Sequence, residues 1–336
     1  MAKISIPITN KDNFYARQLS GAAYALYSDC VENLSQGVLQ GSAQMEMTGA
    51  NQQAVEEVVR ALFCGVPELF YVSQQVQMQW GASGVRIEFS NKYEGQDIGA
   101  LWTQLTGEIK RIADKIRLIP DTYDKLQRLN KYLCVRVNPR GSFVDSCGDA
   151  YGALILKSAR CEGFAKAAKL ILDAVGIPAM LAAGEATPEG QAAENHAWNI
   201  VWCNNTPYHF DFTWNAARGL YGLPSPEYLF LTDKDIYLDH KPWYTYPVCT
   251  DDSQTHWAKN GGIVRYHSDL SRIKIFPVKN HYMAVAKLLY TPTEYEVNNE
   301  VFAWMKDELA AYTYGSRVDY TYNKNLNVFV FYFLND

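Results

Sequence analysis

No stretch of the 336-residue chain holds the roughly 20 consecutive apolar residues that a membrane-spanning helix needs. Met1 to Asn10 lack the apolar h-region of a secretory signal, so a cytoplasmic setting with no membrane partner is expected. Lys and Arg total 31 against 36 Asp and Glu, a formal net charge of −5, and no basic cluster stands out along the sequence. Nucleic acid is therefore not an expected partner, because its binding needs an electrostatic footprint. The seven cysteines, at 30, 64, 134, 147, 161, 203 and 249, are odd in number, widely spaced and free of any CxxC pair. A disulfide framework or zinc knuckle lacks its spacing, and a reducing compartment is the simpler reading. Nothing has the ligand spacing of an EF-hand loop, so calcium control is not expected, and no cofactor is called for. Low-complexity segments are absent as well.

What is present is the composition of a soluble globular protein. Nearly half of the residues are hydrophobic and a fifth are charged, and the length exceeds one ordinary core. The reading is three units: an N-terminal α+β module over 1–118, a central core over 119–255 and a C-terminal strand–helix–strand–strand module over 256–336. The oligomeric state is left open. The 23 Tyr and 8 Trp either fill cores or line a groove for an extended polymer, since their rings offer contact area at low entropic cost.

Helical spacing covers Asn13 to Glu32, Asn51 to Phe63, Asp97 to Arg117 and Asp121 to Val137. Gln44 to Thr48 reads as a short strand, and the text on either side of Gly81 to Gly84 reads as a hairpin. Near the C-terminus a strand at HYMAVAKLLY precedes a helix over about Glu300 to Ala311 and two strands meeting at Asn323 to Asn325. The order echoes residues 43–92 without a residue match.

Chemistry concentrates between Tyr151 and Trp214. After Cys161, Ala165, Ala168, Leu172 and Val175 recur at helical spacing, and Gly176 with Pro178 ends the run. Cys161 thus stands at a helix N-terminus, where backbone N–H groups and the helix dipole favour a thiolate and can receive an oxyanion. Beyond a polar loop over Gly184 to Glu194, ENHAWNIVWC reads as a strand, Asn204-Asn205 as a turn and PYHFDFTW as the returning strand. A two-residue turn sets Cys203 opposite Thr206 and His196 opposite Thr213, which places Asp211 diagonal to His196 on one sheet face. Cys, His and Asp so arranged make a nucleophile, a base and an orienter. His209 shares that face and competes for the histidine role. Cys161, His196, His209 and Asp211 are also able to ligate zinc, but no HxxxH or CxxC spacing supports a metal site.

Three blocks, CEGFA at 161–165, NHAWN at 195–199 and HFDFTWN at 209–215, resemble in that order the signature blocks of the transglutaminase-like superfamily. TYDKLQRLNKYLCVRV and DAYGALILKSA resemble the helix and loop that precede the cysteine in many bacterial members. The resemblance covers about 120–245. It implies an α+β fold with a papain/transglutaminase-like core, in which a nucleophile helix packs on an antiparallel sheet. It also implies Cys161 as nucleophile, His196 as base and Asp211 as orienter. His209 then takes a supporting role, Trp214 packs beside the triad, and Tyr151 shapes the site or assists the oxyanion. The implied activity is a thiol enzyme that forms an acyl-enzyme and hydrolyses a peptide or amide bond of a peptide or protein substrate. Amine transfer (protein cross-linking) and a catalytically silent binding or scaffolding module remain alternatives.

Overall fold

The computed structural model describes residues 6–36, 42–48, 52–82, 84–140, 145–266, 269, 272–278, 281–293, 295, 297, 303, 307 and 317–334. The expected helix at 300–311 lies outside these residues except for two isolated positions.

The chain opens on a 3-10 turn, Ala16–Gln18, and then α1 (Gly21–Ser35). One continuous helix from Asn13 was expected. Instead the Asn13 side chain accepts from the amides of Tyr15 and Ala16 in a tight turn, and Leu19 and Ser20 are extended. An Asn side chain that satisfies nearby amides offers the backbone an alternative to helix, and here it delays the helix start. There follow β1 (Ser42–Thr48), α2 (Gln52–Gly65), β2 (Gln77–Gly81) and β3 (Gly84–Ser90), with the strands in the antiparallel order β1-β3-β2. Next come α3 (Ile98–Arg117) and α4 (Thr122–Arg136). Asp97 and Asp121 are their N-caps, each accepting from amides of the first turn.

Short α5 (Ala150–Leu154) leads into α6 (Cys161–Val175), which Gly176 ends in the left-handed region at φ 76°. Every residue of α6 from Gly163 to Leu172 is buried, including two lysines. Lys169 Nζ meets Asp173 Oδ1 at 2.5 Å and the Asn10 side-chain Oδ1 at 2.5 Å, so its charge is paired inside. Helices α3 and α5 pack on α6, and so do β4 (Ala179–Ala186) and β5 (Glu194–Cys203).

Strand β6 (Thr206–Phe210) completes a hairpin with β5. Asn204 and Asn205 both have positive φ, 50° and 67°, as a two-residue type I′ turn requires, and Cys203 does face Thr206. Then follow α7 (Phe212–Arg218), α8 (Asp233–Ile236) and β7 (His240–Pro242). The four strands form an antiparallel sheet in the order β6-β5-β4-β7. Gly184, read as loop from the sequence, lies inside β4. A Cβ there would collide with the Lys241 carbonyl, so the close approach of β7 to β4 at this position requires glycine.

The remaining elements are α9 (His256–Lys259), β8 (Ile263–Val264), β9 (Phe276–Val278), β10 (His281–Leu288), β11 (Arg317–Asn323) and β12 (Val328–Leu334). Their strands form a third sheet, mixed in direction, around β10 and β12. One buried apolar cluster runs from Ile6 to Cys249, and a separate one joins Leu223, Tyr228 and Leu231 to β10 and β12. The α+β architecture is thus a central helix packed on an antiparallel sheet, with further α and β elements on both sides of it in sequence.

Candidate active site

Cys161 is the first residue of α6. Arg160 before it is extended and makes no side-chain cap, so its side chain occupies none of the helix's first N–H groups. Glu162 in the first turn complements the positive helix end. Gly163 is required by packing, because a Cβ would fall 2.5 Å from the Cys147 carbonyl oxygen. The CEGFA block is therefore a helix start pressed against the preceding 3-10 turn, Asp145–Gly148. All seven cysteines are free thiols, and Cys161 is half-buried.

His196 sits near the start of β5, buried, with Nε2 2.7 Å from Asp211 Oδ2. Cys161, at the start of α6, also acts on the His196 ring and favours its charged form. With Nε2 engaged by the carboxylate, Nδ1 is the nitrogen left for a further partner. Burial opposes the charged ring, but Asp211 and Cys161 outweigh it and hold His196 at about 10 against an ordinary 6.5. Asp211 moves the other way. Burial resists its charge, yet His196 and His240 keep it well below the usual carboxylate range.

The route to that contact differs from the expected one. Strand β6 ends at Phe210, so Asp211 is not a sheet residue and Thr213 does not face His196. Asp211 is the N-cap of α7, its Oδ1 accepting from the amides of Thr213 (2.8 Å) and Trp214 (3.0 Å). An Asp followed by a helix-competent FTWNAAR segment takes the cap conformation rather than continuing the strand. The cap leaves Oδ2 for His196, so the pairing survives the changed geometry.

His209 does not reach Asp211. The Trp198 indole Nε1–H donates to its Nδ1 at 3.0 Å, and its Nε2 lies 2.8 Å from Asp233 Oδ1. An indole can only donate, so Nδ1 must accept and the proton sits on Nε2. Burial pushes its pKa down, in keeping with a neutral ring. His209 is a buried tie between β6 and α8.

Trp214 lies beside the triad, its ring 5.6 Å from that of His196 and 4.6 Å from that of His240. Tyr151 does not join it. Its hydroxyl donates to Gln104 on α3 at 2.7 Å, and its ring packs with Phe70 and Tyr93. Two residues the sequence reading missed also belong here. His240, on β7, places Nε2 3.2 Å from Asp211 Oδ2. Asn199, the last residue of NHAWN, donates from Nδ2 to the carbonyls of Ala165 (3.0 Å) and Met180 (3.3 Å).

Among the described residues two sets bring three potential metal-ligating atoms within 4.8 Å of one another: His196, Asp211 and His240, and His209, Asp233 and Cys249. The second set fits a metal poorly, because Nε2 of His209 carries the proton that Trp198 forces onto it. In the first, Nε2 of both rings already meets Asp211.

A helix-start thiol, a buried imidazole and a capped carboxylate are thus brought to one site. Residues 110–212 match the transglutaminase-like superfamily. No curated protein matches the chain. Among solved structures the chain is similar to a candidate cysteine protease from Cytophaga hutchinsonii, at 16% identity and TM-score 0.29 over 41% of this chain and 61% of that one. It is similar to a TGase at 13% identity and TM-score 0.31, over 59% of this chain and 56% of that one. Legionella pneumophila LapG in a calcium-bound form matches at 18% identity and TM-score 0.29, over 46% of this chain and 78% of LapG. The chain thus spans less than two thirds of the first two of these proteins. The matched superfamily segment carries Cys161, His196 and Asp211 within its limits.

Proposed function

We propose that the transglutaminase-like segment is a thiol acyl-transfer site that hydrolyses a peptide or amide bond in a peptide or protein substrate. The observation that carries the reading is Cys161 at a helix start, acting on a His196 whose Nε2 lies 2.7 Å from Asp211 Oδ2.

In the first half-reaction Cys161 Sγ, its proton already held by His196, attacks the substrate carbonyl carbon. A C–S bond forms and the carbonyl oxygen takes the negative charge, which the N–H groups at the start of α6 would receive. As the C–N bond breaks, His196 gives its proton to the leaving amine. In the second half-reaction water attacks the thioester carbon and loses a proton to His196. The C–S bond breaks, a carboxylic acid leaves, and the thiolate returns to its place beside the imidazolium. Asp211 holds the ring in one orientation and balances its charge throughout.

The test is a panel of peptides with and without amine donors, assayed with intact protein and with Cys161→Ala. Release of amine without donor incorporation supports hydrolysis, whereas donor incorporation moves the reading to cross-linking. Activity that survives Cys161→Ala removes Cys161 from the mechanism. If no substrate turns over and Cys161 reacts with iodoacetamide no faster than the other thiols, the silent module is the better reading.

A further inference from the structure

His240 lies between two carboxylates. Its Nδ1 is 2.6 Å from Asp239 Oδ1 and its Nε2 is 3.2 Å from Asp211 Oδ2, with all three side chains at most 1% exposed. Both carboxylates are otherwise occupied as acceptors. Asp211 Oδ1 takes two amides of α7 and its Oδ2 takes His196. Asp239 Oδ2 accepts from the Tyr228 hydroxyl at 2.7 Å and the Asn325 amide at 3.1 Å. An ionised carboxylate only accepts, so a ring held between two of them has to donate from both nitrogens. His209 in the same sheet is the contrast, since Trp198 forces one of its nitrogens to accept.

We propose that His240 is a positioning residue, held as an imidazolium between Asp239 and Asp211, that aims Asp211 at His196 and limits how strongly Asp211 holds the His196 proton. The proposal rests on reading Cys161, His196 and Asp211 as a thiol active site. The charges around it are those of Cys161 on α6, His196 on β5, Asp211 at the start of α7 and Asp239 beside β7. Cys134 on α4, His209 on β6 and Tyr228 also face this group. If His240 were neutral, two buried carboxylates would face His196 as their one cation, an arrangement that burial penalises. With it charged, each carboxylate has a cation. A second cation on Asp211 also eases the acid half of the cycle. An imidazolium held too tightly by one carboxylate gives its proton up reluctantly to a leaving amine. Delivery of His240 depends on β7 pairing with β4 at Ala186↔His240, which Gly184 permits two residues away.

The test follows the ring nitrogens by 15N NMR of histidine in the full-length chain, assigned from single histidine substitutions. Both nitrogens of His240 should be protonated at neutral pH, and His209 should be the neutral Nε2–H form. In a Cys161→Ser background, which removes the thiol's influence, His240→Gln and Asp239→Asn should each raise the His196 midpoint by about one pH unit. Loosening of the fold would move His196 down toward its ordinary value, so damage and a lost cation shift it in opposite directions. A neutral His240, or a His196 midpoint unchanged or lowered in whichever variants fold, overturns the proposal. Iodoacetamide labelling of wild-type Cys161 tests the underlying reading separately. An inert Cys161 sinks the thiol site even if the imidazoles behave as described.

Discussion

Asn199 Nδ2 donates to the Ala165 carbonyl at 3.0 Å, so the strand that carries His196 is pinned to the helix that Cys161 begins. The base and the nucleophile come from different elements, and this amide is a direct tie between them. Asn199 Oδ1 meanwhile is buried with no hydrogen-bond partner. Asn199→Leu therefore removes two donated bonds and one unsatisfied acceptor together. Stability should fall by no more than ~1–2 kcal/mol in urea unfolding. Iodoacetamide labelling of Cys161 should slow by more than that loss explains, because strand and helix are no longer in register. Unchanged labelling would show that the tie does not position the site.

Labelling should also be selective. Burial pushes Cys30 and Cys249 up to about 12 and Cys64 and Cys203 up to about 11, and raises Cys134 strongly. Those five thiols stay protonated at neutral pH, and the thiol form is a poor nucleophile. Mass spectrometry after brief exposure to iodoacetamide should find Cys161 modified first. His196→Ala should slow that reaction at least ~10-fold by removing the proton acceptor. A flat distribution over the seven cysteines would contradict both expectations.

Much of this site was legible in the sequence because its determinants are local. The helix start at Cys161 follows from apolar spacing and Gly176, and the hairpin register follows from two asparagines suited to positive φ. Where competing local preferences met, the reading erred. PYHFDFTW alternates like a strand, but Asp211 prefers to cap a helix and ends it. His240 was invisible because its place depends on β7 fitting over Gly184, a contact made across more than fifty residues of chain. Tyr151 was misplaced for a related reason. It precedes Cys161 closely in sequence, but α5 turns its hydroxyl toward Gln104 on α3. Arg111, Lys115, Arg128, Lys131, Arg136 and Lys157 likewise form no run, yet α3, α4 and the segment after α5 bring them around one cavity.

The paired imidazole and carboxylate make stability depend on pH in a stated direction. His196 is raised in the folded protein from 6.5 to about 10. Its contribution is therefore complete below the unfolded value and is lost as pH rises through about 10. Asp211 is depressed, so its contribution is present above the usual carboxylate value and is lost as pH falls below it. Unfolding free energy should be highest between about pH 4 and 6.5 for this pair and decline toward pH 10. Buried thiols add to the alkaline decline, so the comparison that isolates the pair is Asp211→Asn. That variant should show a flatter profile between pH 6.5 and 10. An identical slope in both proteins would mean that the pair is not coupled to folding.

Gly184 offers a test of how β7 is held. A methyl group there meets the Lys241 carbonyl, and the strand has to retreat. Gly184→Ala should cost about 1–3 kcal/mol, the usual range for overpacking. It should also weaken the His240–Asp211 contact while leaving α6 in place. Cooperative unfolding with lowered stability, together with a His240 ring signal altered in NMR, is the expected pair of results. A variant as stable as wild type would show that the strand has room to spare.

Glu227 ties the C-terminal hairpin to the core that carries the site. Its side chain is fully buried and lies 2.5 Å from Arg218 Nε. It also accepts from Thr321 Oγ1 (3.1 Å) and Asn323 Nδ2 (3.0 Å) on β11. Arg218 closes the connection by donating to the Tyr322 carbonyl at 3.0 Å. Removing the carboxylate strands a largely buried guanidinium and two polar groups of β11 at once. Glu227→Ala should therefore cost ~3–5 kcal/mol, the range for breaking a buried pair from one side. Replacing the arginine and the glutamate together with Met and Leu removes both charges and should recover much of that loss. If the single variant costs less than ~1 kcal/mol in urea unfolding, the β11–β12 hairpin is held by its apolar contacts to Leu223 and Tyr228 rather than by this ion pair.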